Sequence, residues 1–448
     1  MNARRSALRL LRTMETTGHF PETLLARQSE QKTSSAEDRD QRLRHELVHG
    51  VLRWRGRLDY VLASFSRIPL TRLDPLVLDI LRLGAYQILF LSRIPPRAAV
   101  DESVKLAVGQ PRHIRGFINA LLRAVADRGQ KVAFPDPERE PVAYLAAWHS
   151  HPAWLVERYL GRFGPEEAGQ LLAANNAKPP LTVRVNILRL SRPEIAQRLV
   201  AEGVAVTPTR FSPEGLVLQG AGDPQALACF REGLFFQVQD EAAQLVSHLL
   251  SPREGERVLD ACAGRGGKTL HLAQLMRGTG DILALDLNGD KLKVLAEAAG
   301  RLGLDNIRTL VHDASVPLEE RGEFDRVLLD APCSGTGVIR RRVDLKWRKR
   351  PDDVRRLAAL QASMLDAISA SVAKGGTIVY AACSLEPEEG EELIRAFLGR
   401  HEAFELDDAS KVLGTMFPGE GPPYLRTYPH RLERAMDGFF AARLKRAL

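Results

Sequence analysis

Residues 258–272 read VLDACAGRGGKTLHL: an apolar strand, a glycine-rich turn and the start of an apolar helix. The small residues of the turn allow the backbone to approach a ligand closely, and the helix start offers unpaired amide groups. From about residue 236 onward, strand-like and helix-like segments alternate. The alternation predicts an α/β domain with a parallel sheet covered by helices on both faces.

Three classes of ligand use a glycine turn of this kind. A nucleoside triphosphate is disfavoured, because Cys262 stands where a P-loop needs glycine, six residues before Lys268. A dinucleotide stays open, since Asp286 ends the segment ILALD twenty residues after Gly266. S-adenosylmethionine fits equally, because its ribose hydroxyls also take a carboxylate at a strand end.

Two further apolar segments end in acids, at Asp313 and Asp330. Any one of these residues is explained as well by capping the turn that follows it. A glycine turn followed by three carboxylates at successive strand ends, however, favours an adenosyl ligand at the carboxyl edge of the sheet.

Two of the four cysteines also follow apolar segments, Cys333 in VLLDAPCSGTGV and Cys383 in IVYAACSLEPEEG. A lone cysteine is commonly a small core residue, and that interpretation stays open for each. A thiolate is also a strong nucleophile, and its attack on C6 of a cytosine makes C5 able to accept a methyl group. Neither hydride transfer nor methylation of an exocyclic nitrogen needs two cysteines. We expect EPEEG to begin a helix whose amide dipoles favour the Cys383 thiolate.

The rest of the chain predicts two more domains, since 448 residues exceed one ordinary core. Residues 1–132 show apolar residues at helical spacing and predict an all-helical bundle. Prolines at 135, 137 and 141 mark a linker. Residues 142–235 mix helical and strand-like segments and predict a small α+β segment, and residues 236–448 form the α/β domain.

Composition narrows the class of protein. A content of 44% hydrophobic and 27% charged residues is typical of a globular protein, and the net charge of +7 permits a nucleic-acid partner. No apolar stretch is long enough to span a bilayer or form a signal sequence, so we expect a cytoplasmic protein. The cysteines are far apart without a C-x-x-C pair, so we expect neither disulfides nor a metal.

The chain resembles the RsmB-type (Sun or Fmu) ribosomal RNA cytosine-C5 methyltransferases over essentially its whole length. The family's DLCAAPGGKT, DAPCS(A/G)TGV, RRHPDIKW and VYATCS are similar to DACAGRGGKT, DAPCSGTGV, RRRVDLKW and VYAACS here. FFQVQDEAAQLV and DGFFAARLKR also resemble family segments, and the N-terminal bundle is similar to NusB-type RNA-binding domains. The resemblance implies a monomeric, S-adenosylmethionine-dependent enzyme acting on 16S rRNA, with a NusB-like bundle, an α+β RNA-recognition segment and a Rossmann-like class I methyltransferase domain.

The resemblance also implies roles for individual residues. Cys383 becomes the nucleophile, Cys333 assists product release, and Asp330 lies beside the cytosine and the sulfonium. Asp286 takes the ribose hydroxyls and Asp313 lies at the adenine. The loop around the methionine and adenosyl portions consists of Cys262, Ala263, Gly264, Arg265, Gly266, Gly267 and Lys268.

The basic segment, residues 340–350 (RRRVDLKWRKR), carries seven basic residues and one acid around a tryptophan. Arginine and lysine neutralise phosphates, and an aromatic ring stacks on an unpaired base. A solvated basic turn is the alternative. We expect RNA contacts from Arg340, Arg341, Arg342, Lys346, Trp347 and Arg348, and a target cytosine that is single-stranded, looped or flipped.

Two positions depart from the family pattern: Arg265 replaces the loop's usual proline, and Ala382 replaces the threonine before the nucleophile. Neither change removes a group that the chemistry requires, so we expect activity. Methylation of tRNA or of another RNA stays open, as does an inactive RNA-binding assembly factor. DNA methylation is less favoured, because DNA cytosine methyltransferases have no counterpart of Cys383.

Overall fold

The computed structural model describes residues 3–17, 35–233, 235–318, 323–414, 423–432 and 436–448. The chain separates into two compact units. The first contains Met1–Asn176 and Arg342–Arg348, and the second contains Ala177–Arg341 and Lys349–Leu448. Within the described ranges, no helix combines the length and the apolar character needed to cross a membrane.

The first unit is helical, as its apolar spacing predicts. Its helices are α1 (Ala3–Thr17), α2 (Ser35–Phe65), α3 (Pro75–Phe90), α4 (Pro96–Leu106), α5 (Arg112–Arg128), α6 (Pro141–Trp148) and α7 (Ala153–Asn176), with a short helical turn at Leu345–Arg348. Proline opens α3, α4 and α6, where its fixed φ suits the first helical position and its missing N–H is not needed. Leu47, Leu58, Ile80 and Leu122 are completely buried in the core of this unit.

The first unit extends beyond the boundary predicted at residue 132. Helices α6 and α7, expected to open the α+β segment, belong to the unit that holds the bundle. The Arg57 guanidinium of α2 lies 4.1 Å from the ring centroid of Trp148 in α6, and the Phe134 ring meets the same tryptophan edge-on. These contacts join α6 to the bundle across the proline-rich linker.

The second unit begins with a small four-stranded antiparallel sheet in the order β2-β3-β1-β4. Its elements are β1 (Leu181–Val185), α8 (Arg192–Ala201), β2 (Ala205–Pro208), β3 (Gly215–Gln219), α9 (Ala228–Arg231) and β4 (Phe236–Val238). Val183, Ile195, Leu199 and Phe236 are completely buried between the sheet and its helices. The α+β character predicted for this part of the chain is confirmed.

A larger sheet of eight strands follows, in the order β10-β12-β9-β8-β5-β6-β7 with β11 beside β12. Its elements are α10 (Glu241–Leu250), β5 (Arg257–Asp260), α11 (Thr269–Leu275), β6 (Asp281–Asp286), α12 (Gly289–Leu302), β7 (Ile307–Val311), β8 (Phe324–Asp330), α13 (Pro351–Ser369), β9 (Val372–Ala382), α14 (Glu391–Leu398), β10 (Phe404–Asp407), α15 (Ala409–Leu413), β11 (Leu425–Thr427) and β12 (Phe439–Arg446). The predicted α/β alternation is confirmed.

The sheet is mixed rather than wholly parallel. Strands β5 to β9 are parallel, whereas β12 runs antiparallel to β9, and β10 and β11 run antiparallel to β12. The sequence pattern missed these last strands, because β10 and β11 are only four and three residues long and β12 pairs with a strand that lies far earlier in the chain.

The sheet is buried on both faces. Along β9, Ile378 and Tyr380 belong to one hydrophobic cluster and Val379 and Ala381 to the other, which explains the continuous apolar run of this strand. Strand β5 lies between β6 and β8, so the strand order reverses at β5. In open α/β sheets, ligands bind at the carboxyl ends of strands beside such a reversal.

Candidate active site

The glycine loop follows β5, and its backbone requires glycine at two positions. Gly264 has a φ of +58° and Gly266 a φ of +87°, the left-handed region that other residues rarely adopt. A Cβ on Gly266 would meet Cδ1 of Leu295 at 2.3 Å, whereas one on Gly264 would meet no described atom within 4 Å. The loop thus packs against α12 at Gly266 and leaves open space beside Gly264.

Asp286, at the end of β6, is bonded to the glycine loop. Its Oδ2 accepts the backbone N–H of Gly264 at 3.0 Å, and its Oδ1 accepts the N–H of Asn288 at 2.8 Å. Lys291 reaches the same carboxylate at 3.4 Å. The strand-end acid and the loop predicted from sequence therefore form one structure.

Asp313 follows β7, a strand parallel to β6, and so lies at the same carboxyl edge of the sheet. It accepts the backbone N–H of Ser315 at 2.9 Å and the Ser315 hydroxyl at 2.7 Å. These two hydrogen bonds, the backbone one first, lower the pKa of Asp313. The residue both caps a turn, as the alternative interpretation proposed, and ends its segment at the predicted edge.

Asp330, at the end of β8, forms an ion pair with the loop, because Nζ of Lys268 donates to its Oδ2 at 2.6 Å. Asp260, which sequence reasoning did not single out, ends β5, the strand between β6 and β8, and is buried. Its Oδ2 accepts the hydroxyl of Thr269 at 2.7 Å. Burial raises the pKa of Asp260 to about 7 and also raises the pKa of the Cys262 thiol.

Cys333 and Cys383 meet at the same edge, with their Sγ atoms 3.2 Å apart. The sheet register explains the meeting: Asp330 of β8 pairs with Ala381 of β9, and each cysteine follows within three residues. The hydrogen bond with Cys383, together with burial, raises the pKa of Cys333 well above that of a free thiol. Both effects favour the neutral thiol form of Cys333.

Glu389 connects the two cysteine loops, a role that its sequence neighbourhood did not predict. Its Oε1 accepts the backbone N–H of Ser334 at 2.8 Å, and its Oε2 accepts the hydroxyls of Ser334 and, at 2.5 Å, of Ser384. Gln361 of α13 donates to Oε1 at 2.9 Å. One completely buried carboxylate thus holds the residue after each cysteine.

The helix expected at EPEEG begins later than predicted. Residues Pro387–Glu389 form a single 3₁₀ turn, and α14 starts at Glu391. The first α-helix after Cys383 therefore starts at Glu391, and the effect of its dipole on the thiolate stays a prediction. The structural role of this stretch comes from Glu389.

Arg184 of β1 brings the small sheet to the glycine loop and was also missed. Its guanidinium donates to the carbonyl of Gly267 at 2.7 Å and to the side chains of Gln237 and Gln239. Only 1% of the residue is exposed, and burial lowers the pKa of Arg184 to about 9. An arginine in a short strand carries no local signal for a partner more than eighty residues away.

Comparison with known proteins identifies this arrangement. The family model described as 16S rRNA methyltransferase RsmB/F matches residues 247–445, a NusB family model matches residues 1–127, and the RsmF/B-like ferredoxin-like domain matches residues 151–225. The chain is 37% identical over 427 residues to a probable ribosomal RNA small subunit methyltransferase B of Bacillus subtilis, covering 93% of this chain and 92% of that protein. The chain belongs to the RsmB/F family of 16S rRNA methyltransferases.

Two further comparisons agree. The ribosomal RNA small subunit methyltransferase B of Pseudomonas putida is 39% identical over 412 residues, with 91% of each chain covered. The crystal structure of the protein PH0851 has a TM-score of 0.80 and 28% identity, covering 99% of this chain and 98% of the other. The predicted family and three-part fold are confirmed.

The donor of an RsmB/F methyltransferase is S-adenosylmethionine, and the loop fits this cofactor. Among the described atoms, none lies within 4 Å of where a Cβ would stand on Gly264 or Gly267, so the backbone presents a surface for a ligand. Asp286 and Asp313 lie at the ends of neighbouring strands, as an adenosyl group requires. The roles of the individual loop residues stay predictions.

The two departures from the RsmB/F pattern are accommodated by the structure. Ala382 is completely buried in an apolar cluster and pairs with Phe440 of β12. An apolar side chain without a hydroxyl therefore suits these surroundings. Arg265 is exposed and lines a cavity of about 370 Å³ together with Phe230 and Arg301. Neither departure disturbs the cysteine pair or the carboxylates.

Arg340 and Arg341 both form internal ion pairs in this fold. The RNA contact predicted for Arg340 does not fit its burial, whereas that of Arg341, whose side chain is 27% exposed, stays a prediction. Nε of Arg340 donates to Asp437 at 2.5 Å, and Arg341 donates to Asp437 and, at 2.7 Å, to Asp240. Burial raises the pKa of Asp437, and only 1% of Arg340 is exposed. These pairs join the C-terminal DGFF segment to the start of α10.

Lys346 and Trp347 are also bonded internally, within the first unit. Nζ of Lys346 donates to the carbonyl of Arg53 at 2.8 Å and to Asn176 at 2.9 Å, and burial lowers its pKa well below the usual value. The Trp347 indole donates to the carbonyl of Leu52 at 2.6 Å. Arg348 pairs with Asp344 at 3.1 Å, whereas Arg342 is exposed. Lys346 therefore does not fit the predicted role, and Arg342 fits it best.

Proposed function

We propose that the protein methylates C5 of a cytosine in 16S rRNA through a covalent bond between Cys383 and C6 of the base. The observation that carries the proposal is the 3.2 Å approach of two thiols beyond neighbouring strands, at the edge where the glycine loop and carboxylates converge. Two relatives are named ribosomal RNA small subunit methyltransferase B, which supports the rRNA substrate.

The cysteines divide the work. Cys383 attacks C6, which breaks the ring's aromaticity and concentrates electron density on C5. When bound, S-adenosylmethionine supplies an electrophilic methyl group on its sulfonium. A base then takes the C5 proton, the C6–S bond breaks, and Cys333 donates its S–H hydrogen bond to the departing sulfur. The raised pKa of Cys333 supports this role, because the thiol must hold its proton.

The acids and the loop position the reactants. Asp330 contacts the cytosine and the sulfonium end of the donor, and Lys268 holds this carboxylate through their 2.6 Å ion pair. Asp286 takes the ribose hydroxyls, and Asp313 lies at the adenine. The helical bundle and the small sheet bind the surrounding RNA, and the enzyme works as a cytoplasmic monomer.

The roles of the cysteines are tested by trapping the covalent intermediate. Wild type, Cys333→Ala and Cys383→Ala are incubated with 16S rRNA and labelled S-adenosylmethionine, followed by denaturing electrophoresis and mapping of the methylated nucleotide. We expect Cys333→Ala to accumulate a protein–RNA species that survives denaturation. Cys383→Ala should form none and should lose methylation on the order of 10⁴-fold or more.

Cys229→Ala is the matched control, because Cys229 is buried in the small sheet's core. It should methylate within about twofold of wild type. Methylation by Cys383→Ala, or absence of the trapped species with Cys333→Ala, would contradict the assignment. Methylation of tRNA in preference to 16S rRNA would leave the chemistry intact and overturn the substrate.

A further inference from the structure

Glu214, His248 and His271 form a buried cluster in the second unit that the proposed methyl transfer does not use. Oε2 of Glu214 lies 2.8 Å from Nε2 of His248 and 3.9 Å from Nε2 of His271. One potential ligand atom from each residue lies within 4.8 Å of the other two. The exposed fractions of the three side chains are 8%, 11% and 0%.

Three separate elements bring these residues together. Glu214 directly precedes β3 of the small sheet, His248 lies in the last turn of α10, and His271 lies in α11 directly after the glycine loop. The two imidazole rings meet edge to face with centroids 5.1 Å apart. The spacing along the chain matches no local metal-binding motif, so only the fold reveals the cluster.

His271 gives the second, independent observation. Both of its ring nitrogens are buried, and neither has a hydrogen-bond partner among the described residues. A buried polar group without a partner is costly, on the order of 1–3 kcal/mol, and is uncommon in folded proteins. Its Nε2 lies 3.9 Å from the same carboxylate oxygen that His248 contacts, which is too long for a hydrogen bond.

We propose that Glu214, His248 and His271 bind one zinc ion. Two imidazoles and one carboxylate are ligands that zinc takes readily, leaving a fourth position for water. Tetrahedral zinc with bonds of about 2.0–2.1 Å places its ligand atoms about 3.3 Å apart. The observed 2.8 Å and 3.9 Å lie on either side of that value, and all three ligand atoms lie within 4.8 Å of one another, so side-chain shifts of at most about 1.5 Å complete the site.

The site lies next to Arg184, whose charge acts on both Glu214 and His271. This positive charge opposes a divalent cation, and the single carboxylate offsets only part of that repulsion. We therefore expect the zinc ion to bind weakly enough for a chelator to remove it. Because Arg184 also holds Gly267, the zinc ion would join the small sheet to α11 directly behind the glycine loop and stabilise both.

Metal binding is tested on the full-length protein without reference to its activity. Chelator-treated protein is titrated with Zn²⁺ and with Co²⁺, and three quantities are measured: metal per chain after desalting, the visible bands of tetrahedral Co²⁺, and the melting temperature. The ligand variants are Glu214→Gln, His248→Gln and His271→Gln. His248→Gln changes a partly exposed side chain, so it tests the site even where loss of the buried His271 impairs folding.

Two control variants separate this site from other sources of binding. The thiols of Cys333 and Cys383 also attract zinc, so Cys383→Ser removes that alternative. His401→Gln removes a histidine that contacts Asp366 at 2.8 Å but belongs to no three-residue cluster among the described residues. Both controls should bind one equivalent and gain thermal stability with zinc, as wild type does.

We expect each ligand variant to bind zinc at least about tenfold more weakly and to lose the Co²⁺ bands. The inference is overturned if Cys383→Ser binds no stoichiometric metal, because the thiols then account for the binding. It is equally overturned if Glu214→Gln and His248→Gln bind as tightly as wild type.

Discussion

Functional roles were predicted for the cysteine pair and for the basic segment from short stretches of sequence. The structure brings the cysteines together, whereas it buries several of the basic residues that were expected to face RNA. Cys333 and Cys383 meet at the sheet edge with 3.2 Å between their sulfur atoms. In the basic segment, Arg340 and Lys346 lie inside the protein, bonded to Asp437 and to the carbonyl of Arg53. The difference shows that residues tied to a strand end are placed by the sheet, whereas a run of charges does not reveal its partners.

The largest effect should come from removing the carboxylate that Arg340 and Arg341 share. Asp437→Ala leaves the buried Arg340 without its 2.5 Å partner and leaves Arg341 with Asp240 alone, so the free energy of unfolding should fall by about 3–5 kcal/mol. Chemical denaturation measures this change. Asp352→Ala, which removes the exposed ion pair with Arg355, should change stability by less than about 1 kcal/mol.

Equal stabilities for these two variants would show that the arginines of the basic segment are not structural. The contrast between the cysteine pair and the basic segment would then no longer hold, because the basic residues would not be structural.

The next largest effect should come from Glu389, which positions the cysteine pair. Glu389→Ala removes the carboxylate that holds Ser334 and Ser384, so the two sulfur atoms should lose their alignment. A displacement of about 1 Å typically costs on the order of 10²-fold in rate, and we expect kcat to fall by about that factor. Steady-state kinetics should show an unchanged KM for S-adenosylmethionine, because Glu389 does not touch the glycine loop.

Glu389→Gln keeps an acceptor for the Ser334 amide and should recover most of the rate. Glu392→Ala, an exposed acid in the first turn of α14, is the matched control and should be as active as wild type. A loss confined to the KM for S-adenosylmethionine would contradict a positioning role.

A third effect tests burial at the strand ends. The pKa of Asp260 is raised to about 7, so the folded protein holds a proton that the unfolded chain has released above its ordinary pKa near 3.8. The stabilising contribution of that proton is complete below the unfolded pKa and is lost as pH rises through the folded pKa.

The free energy of unfolding of wild type, relative to Asp260→Asn, should therefore decrease by about 2 kcal/mol between about pH 5 and about pH 7. Paired denaturation curves at each pH measure the difference. A difference that stays constant over this window would show that Asp260 titrates as an exposed carboxylate does.

The sequence alone predicted the site residues that lie at the ends of parallel strands. The apolar segments ending in Asp286, Asp330 and Cys383 become strands β6, β8 and β9, and parallel strands place their carboxyl ends at one edge. Periodicity therefore placed these residues before any tertiary contact was known.

The parts that sequence missed depend on contacts between distant segments. Glu389 looks like one acid among three in EPEEG, and only the fold brings its carboxylate to Ser334. Arg184 and His271 carry no local sign of their neighbours for the same reason. The antiparallel β12 was missed for the same reason, because its partner β9 lies far earlier in the chain.

The smallest effect should come from Arg342, an exposed residue of the basic segment. If its guanidinium contacts a phosphate, Arg342→Ala should lower the slope of log affinity against log salt by about 1 and weaken binding about threefold. Filter binding to a 16S rRNA fragment at several salt concentrations measures both quantities. Arg340→Met should reduce stability yet leave the slope unchanged, because a side chain that is 1% exposed does not meet solvent counterions. A lowered slope for Arg340→Met with none for Arg342→Ala would reverse the comparison and restore the prediction made from the charge run alone.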